Sequence, residues 1–129
     1  MFVSRLLLLF ALTCCFSLRF TWASEEGVWT TPSAAGYFFT FQEQNDQLLM
    51  VVLEPYSDTG SAWQAFFGPH TSATRTASIS TLASPLNFQG VVTFTSDTAA
   101  TLIVSFCVSR TEKPCFFSAG QTVSFTKVF

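Results

Sequence analysis

Beyond an apolar opening stretch, hydrophobic and polar residues tend to alternate with a period of two. No segment sustains the 3.6-residue spacing of an amphipathic helix. Thr, Val, Phe and Ser dominate, and turn-forming residues recur about every eight to twelve positions, a pattern that predicts an all-β sandwich or barrel. Residues 37–42 place Tyr37, Phe39 and Phe41 on one face, and Asn45-Asp46 then makes a tight turn. Residues 47–53 are apolar on both faces, which predicts a strand buried on both sides or central to a sheet. A turn at Ser57-Asp58-Thr59-Gly60 precedes a strand over 62–67, ended by Gly68-Pro69. Residues 73–82 are polar and β-prone, as in an edge or wet strand. Phe88, Gly90, Val92 and Phe94 share a face, with Gln89, Thr93 and Thr95 opposite. After a turn at Ser96-Asp97, Leu102, Val104, Phe106 and Val108 face one way and Cys107 the other. The last strand, 122–129, aligns Val123, Phe125, Lys127 and Phe129. With residues 27–30 this makes roughly seven or eight strands.

Short links pair each strand with the one before it. Eight such strands can close into a small antiparallel up-and-down β-barrel, which removes the exposed edges that invite aggregation. A two-sheet β-sandwich is the alternative.

The opening stretch changes how the rest is weighed. One positive charge at Arg5 precedes the apolar run at 6–18, and small residues at Thr21 and Ala23 prepare a cut ahead of Ser24. These are the three parts of a secretory signal, and the run is too short for the ~20 residues of a membrane span. Lipid attachment at Cys14 or Cys15 would want Gly or Ala just before the cysteine, which is absent. The expected organisation is therefore a signal over 1–23 and a single β-domain over 24–129, secreted or periplasmic, with no membrane span once cut. Removing the signal leaves four basic residues against eight acidic ones, about −4, with no basic stripe; nucleic acid is an unsuitable partner. Twelve of the sixteen phenylalanines stay in the domain, ample apolar bulk for one core.

Two cysteines remain, Cys107 and Cys115. In an oxidising compartment so close a pair should be bridged. The spacing suits a strand–loop–strand hairpin, and loop entropy gives about 2.5 kcal/mol for the bridge. A redox or metal pair would need CxxC spacing or further Cys and His ligands, which the sequence lacks.

Signals for catalysis are weak. His70 is the only histidine, directly after Gly68-Pro69, where a solvated loop residue is expected, and no Gly-x-Ser-x-Gly turn accompanies it. Acids are scattered among turns and strand ends, so Glu43/Asp46 and Glu54/Asp58 read as solvated charges rather than a glycosidase pair or metal ligands. No cofactor is implied. Aromatic and glycine positions say more. If the first and last strands are neighbours, Lys127 can lie over the Trp29 ring, a contact worth ~0.5–2 kcal/mol; otherwise Lys127 snorkels outward. Gly60 fits a hairpin turn requiring positive φ, and Gly36 allows a tight approach to the Tyr37 strand. Tyr37, Phe41, Tyr56 and Trp63 form the candidate ligand surface, because Tyr and Trp join apolar area to a polar tip. Trp63 would line a cavity or pack in the core.

The run Gly27-x-Trp29-x-x-Pro32-x-x-x-Gly36-Tyr37, followed by Gln44…Asp46, Tyr56-x-x-x-Gly60-x-x-Trp63 and Gly68-Pro69, resembles a β-domain family of bacterial secreted proteins. Val92-Thr93-Phe94-Thr95-Ser96-Asp97 and Ala100-Thr101-Leu102 are similar to that family's second half, and Phe38 stands where a second glycine is usual. The resemblance implies an organisation and no agreed activity. More loosely, the early Gly27-x-Trp29 and the basic Lys127 in the final strand resemble the calycin barrels, the lipocalin and avidin groups. Thr30-Thr31-Pro32-Ser33 replaces the polar segment of the biotin site, so that ligand is not carried over. Periplasmic protease inhibitors share this kind of barrel.

The expected function is thus a non-catalytic exported binding protein for a small apolar molecule, a glycan or a protein, protease inhibition included. A structural or adhesive module of the cell envelope is the alternative, and a hydrolase using Glu43, Asp58 or His70 a third. An interior cavity lined by Tyr37, Phe41 and Trp63 would favour a ligand. A filled barrel with aromatics outside would favour protein association, and acids converging on His70 would favour an enzyme.

Overall fold

The structure, a computed structural model, describes residues 25–55 and 62–129. The expected export signal with Cys14 and Cys15, together with Tyr56, the expected 57–60 turn and Gly60, lies outside the described residues. Eight strands form one closed antiparallel barrel in chain order. They are β1 (Gly27–Thr30), β2 (Phe38–Gln44), β3 (Gln47–Leu53), β4 (Trp63–Thr71), β5 (Thr76–Ala83), β6 (Leu86–Phe94), β7 (Ala99–Ser109) and β8 (Thr122–Lys127). A 3₁₀ turn, Pro32–Ala34, links β1 to β2. The seam is the β1–β8 pair, with Trp29 opposite Lys127 and Thr30 opposite Thr126.

Alternation fills the interior. Trp29, Phe39, Phe41, Leu48, Met50, Val52, Phe66, Phe88, Leu102 and Val123 are all completely buried. An eight-stranded barrel is just wide enough for side chains to fill it, and here aromatic rings do most of the filling. Phe41 meets Phe94 edge-on at 5.2 Å and Phe39 meets Phe125 at 4.8 Å, geometry that aromatic quadrupoles favour. An apolar interior is the inverse of a membrane barrel's polar lumen.

Local chemistry sets the turns and close approaches. Asn45 and Asp46 both take positive φ, 52° and 58°, as a two-residue hairpin turn between twisted strands requires. Gly36 also has positive φ. Gly27, at φ 137°, lets the chain pass so close to the C-terminal segment that a Cβ there would sit 2.2 Å from the Phe129 carbonyl oxygen.

Several expected elements are redrawn. Gly68-Pro69 does not end β4. Pro69 pairs with Gln47 of β3, while the ladder to β5 lapses at 68–69 and resumes at His70 and Ala77, since proline supplies no N–H. Gly68 is needed for that passage, because a Cβ would lie 1.6 Å from the Ser78 carbonyl oxygen. The polar 73–82 segment is no edge: β5 pairs with both β4 and β6 and buries Ala77 and Ile79. β3 is central to the sheet, paired to β2 and β4, as one of the two expectations had it, but it is buried on one face only, with Leu53 43% exposed on the other.

Along β7 the faces switch phase. Gln89 pairs with Phe106 but Gly90 with Val104, so Ser105 is an extra residue in a bulge. Past it Cys107 packs against the core and Val108 is exposed, the reverse of the simple alternation. Cys115 lies in the β7–β8 connection rather than on a strand, and it is bridged to Cys107 with Cα atoms 6.2 Å apart. Phe129 falls beyond β8 and is exposed instead of joining the apolar face.

Candidate functional site

An up-and-down barrel has two poles, and this chain furnishes them differently. One receives the β1–β2, β3–β4, β5–β6 and β7–β8 connections. There the bridge to Cys107 fixes Cys115, and the next two residues enter the barrel mouth. Phe117 is buried and stacks on Phe39, ring centroids 5.9 Å apart. Phe116 touches Phe66, Phe88 and Phe117. Beside this plug, Gln64 is 1% exposed and donates from Nε2 to Glu54 Oε1 at 3.0 Å. Lys113 pairs with the other oxygen of Glu54, and Ser84 donates to Gln64.

Tyr37 sits at this pole, half-buried against the core and 6.5 Å from Phe116. Phe41 lies deep inside. Trp63 points outward and is 63% exposed, so it belongs neither to the core nor to an interior cavity. The three do not converge on a common pocket, and Tyr56 lies outside the described residues.

Trp63 instead belongs to a row on the outside. Phe38 is registered opposite Leu53, and Leu53 opposite Trp63. Directly opposed residues on neighbouring strands share a face, and Phe38 is 46% exposed. Leu49 and Phe67, also paired and outward, extend the apolar surface along β3 and β4. On the far side of the barrel, Ser78, Ser80, Gln89 and Ser105 line a shallow polar groove of about 250 Å³.

The opposite pole is charged. It carries the Asn45-Asp46 turn, the β4–β5 and β6–β7 connections and both chain ends of the barrel. His70, expected as a solvated loop residue, is on β4 and only 4% exposed, because the strand runs on through Gly68-Pro69. Its Nδ1 is 3.1 Å from Glu43 Oε1, yet the approach is not aligned as a hydrogen bond, and neither ring nitrogen has a hydrogen-bond partner. Leaving such a group unsatisfied in the interior costs about 1–3 kcal/mol. Glu25 is buried as well, and its carbonyl accepts from Trp29 Nε1 at 3.2 Å, which ties the residues just before β1 to the barrel mouth. Arg75 Nε meets Glu25 Oε1 at 2.9 Å, while its Nη2 reaches Asp97 at 3.3 Å. Donor atoms of Glu25, Glu43 and His70 all lie within 4.8 Å of one another. The acids here are not scattered: two of them converge on the histidine.

The chain has no match among protein families, curated proteins or solved structures. Chemistry must therefore be read from the geometry. A nucleophilic relay places histidine between hydroxyl and acid. Here the acid lies between, since Ser72 Oγ donates to Glu43 Oε1 at 3.5 Å and His70 approaches the same oxygen. Of the acids expected to be solvated charges, Asp46 is exposed on the hairpin, Glu54 is instead engaged by Lys113 and Gln64, and Asp58 lies outside the described residues. At the seam, Lys127 Nζ stands 5.5 Å from the Trp29 ring centroid, within cation–π range.

Proposed function

We propose that the protein is a non-catalytic, exported binding module that docks a partner protein on the outer face of β2, β3 and β4. The exposed row Phe38–Leu53–Trp63 carries this reading. Aromatic side chains in such a row are the kind that anchor protein interfaces. An interior filled by rings and plugged by Phe116 and Phe117 favours an outside surface over a small apolar ligand within. The order Ser72–Glu43–His70 is not that of a nucleophilic relay, although two acids do converge on His70, the arrangement that favours the enzyme alternative. Export is supported by the Cys107–Cys115 bridge, which persists best outside a reducing cytosol, and no helix among the described residues is long and apolar enough to cross a membrane.

Native mass spectrometry of the protein purified from its own compartment tests this, alongside Trp63→Ser and Leu53→Ser. A protein partner that stays with the wild type and is lost from both variants is the expected result. A small molecule retained equally by all three would overturn the docking reading. Higher-order species of the chain itself, lost in the same variants, would favour an adhesive envelope module using the same face.

A further inference from the structure

We infer that the charged pole is a binding site for a divalent transition-metal cation, with His70 Nδ1 and the carboxylates of Glu43 and Glu25 as ligands. The site is separate from the outer docking row and does not depend on it.

Two independent observations meet there. The first is the donor set: one imidazole and two carboxylates from three different segments, with donor atoms within 4.8 Å of one another. The second is the state of His70, whose side chain is 1% exposed while both ring nitrogens lack a hydrogen-bond partner. A buried imidazole normally finds a donor or acceptor. The 3.1 Å approach of Nδ1 to Glu43 Oε1 is misaligned as a hydrogen bond. It is close to the separation of two ligands on one tetrahedral ion, about 3.3 Å for metal–ligand bonds of 2.0–2.1 Å.

Electrostatics and setting agree. The Arg75 guanidinium reaches both Glu25 and Asp97, and Glu43 lies beside Glu25. Lys127, at the same pole, stands over the Trp29 ring. Arg75 would act as an outer partner that orients the Glu25 carboxylate, as hydrogen-bonded carboxylate ligands generally require. His70 is fixed by its strand, its amide donating to the Asp46 carbonyl at 2.8 Å, and its ring packs against Phe94. Glu43 and Glu25 have the rotatable bonds to close the remaining distance. Side-chain exposure of 20% at Glu43 leaves room for a water as fourth ligand. One nitrogen with two carboxylate oxygens suits Zn²⁺ and its neighbours better than Ca²⁺ or Mg²⁺, which prefer oxygen alone.

Because His70 is the only histidine in the chain, the untagged, disulfide-bonded protein gives an unambiguous readout. Titration with ZnCl₂, followed by calorimetry and by the imidazole NMR signals, should show one ion bound per chain, with the His70 resonances shifting in step. His70→Gln and Glu43→Gln should each weaken Zn²⁺ binding at least tenfold, of the order seen when metal-site groups are lost. The proposal is overturned if the imidazole signals stay unmoved at millimolar Zn²⁺, or if His70→Gln binds as tightly as the wild type. Should His70→Gln fail to fold, the imidazole shift in the wild type and the Glu43→Gln titration decide the matter. Binding that survives Glu43→Gln unchanged also counts against the site.

Discussion

The two poles of this barrel solve the same problem with different chemistry. At one, Phe116 and Phe117 descend into the mouth on a connection held by the Cys107–Cys115 bridge. At the other, Glu25, Arg75, Asp97, Glu43 and His70 gather around the opening, and Lys127 covers Trp29. Apolar packing is non-directional, so damage to the plug should scale with volume removed and be nearly indifferent to salt. Charge contacts are directional and screened, so damage at the charged pole should be smaller and should fade as ionic strength rises.

Ranked by size, the sharpest test of that contrast is Phe117→Ala. Removing a fully buried ring from the plug should cost about 3–5 kcal/mol, read by urea denaturation. A loss below about 1 kcal/mol would mean that the connection merely rests on the barrel. Next comes the double change Cys107→Ser with Cys115→Ser, expected to cost about 2.5 kcal/mol through loop entropy. Hydrogen exchange near Phe116 and Phe117 should quicken with it, while β2 and β3 stay protected; uniform quickening would show that the bridge supports the whole barrel instead. At the charged pole, Lys127→Gln should lose ~0.5–2 kcal/mol, and the difference should shrink in high salt. If it persists unchanged, the aliphatic stem of Lys127, rather than its charge, is what matters at the seam. Smallest of all, Trp63→Ser should stay within about 0.5 kcal/mol of wild type, as a surface change does, while removing the partner binding proposed above. A large loss of stability would place Trp63 in the fold and weaken the docking row.

What could be read from the sequence divides along local and non-local lines. Seven or eight strands and chain-order pairing followed from alternation and short connections; closure was one reading beside a sandwich, and the Lys127–Trp29 contact the reading tied to it, and the structure has both. The bridge followed from the two cysteines, eight residues apart, that an expected export signal would leave behind. His70 was misread because Gly68-Pro69 has the composition of a terminator, whereas a proline that interrupts one ladder can still pair on its other side. Nothing near His70 in sequence announces Glu43 or Glu25; the successive pairings of β1 to β4 bring their ends to one pole and the three side chains together. Trp63 and Gln64 invert the usual preference, the aromatic outside and the amide within, because Glu54 and Ser84 satisfy Gln64 there. The phase change in β7 hangs on one extra residue, Ser105, which pattern reading cannot place.

The seam has a practical corollary. Val28 donates to the Phe129 carbonyl at 3.1 Å, so the two ends of the described barrel emerge side by side at the charged pole. The row Phe38–Leu53–Trp63 lies toward the opposite pole. Any bead, surface or fusion attached at either end would therefore hold the molecule by its charged foot and present the aromatic rim outward, like a cup set on its base.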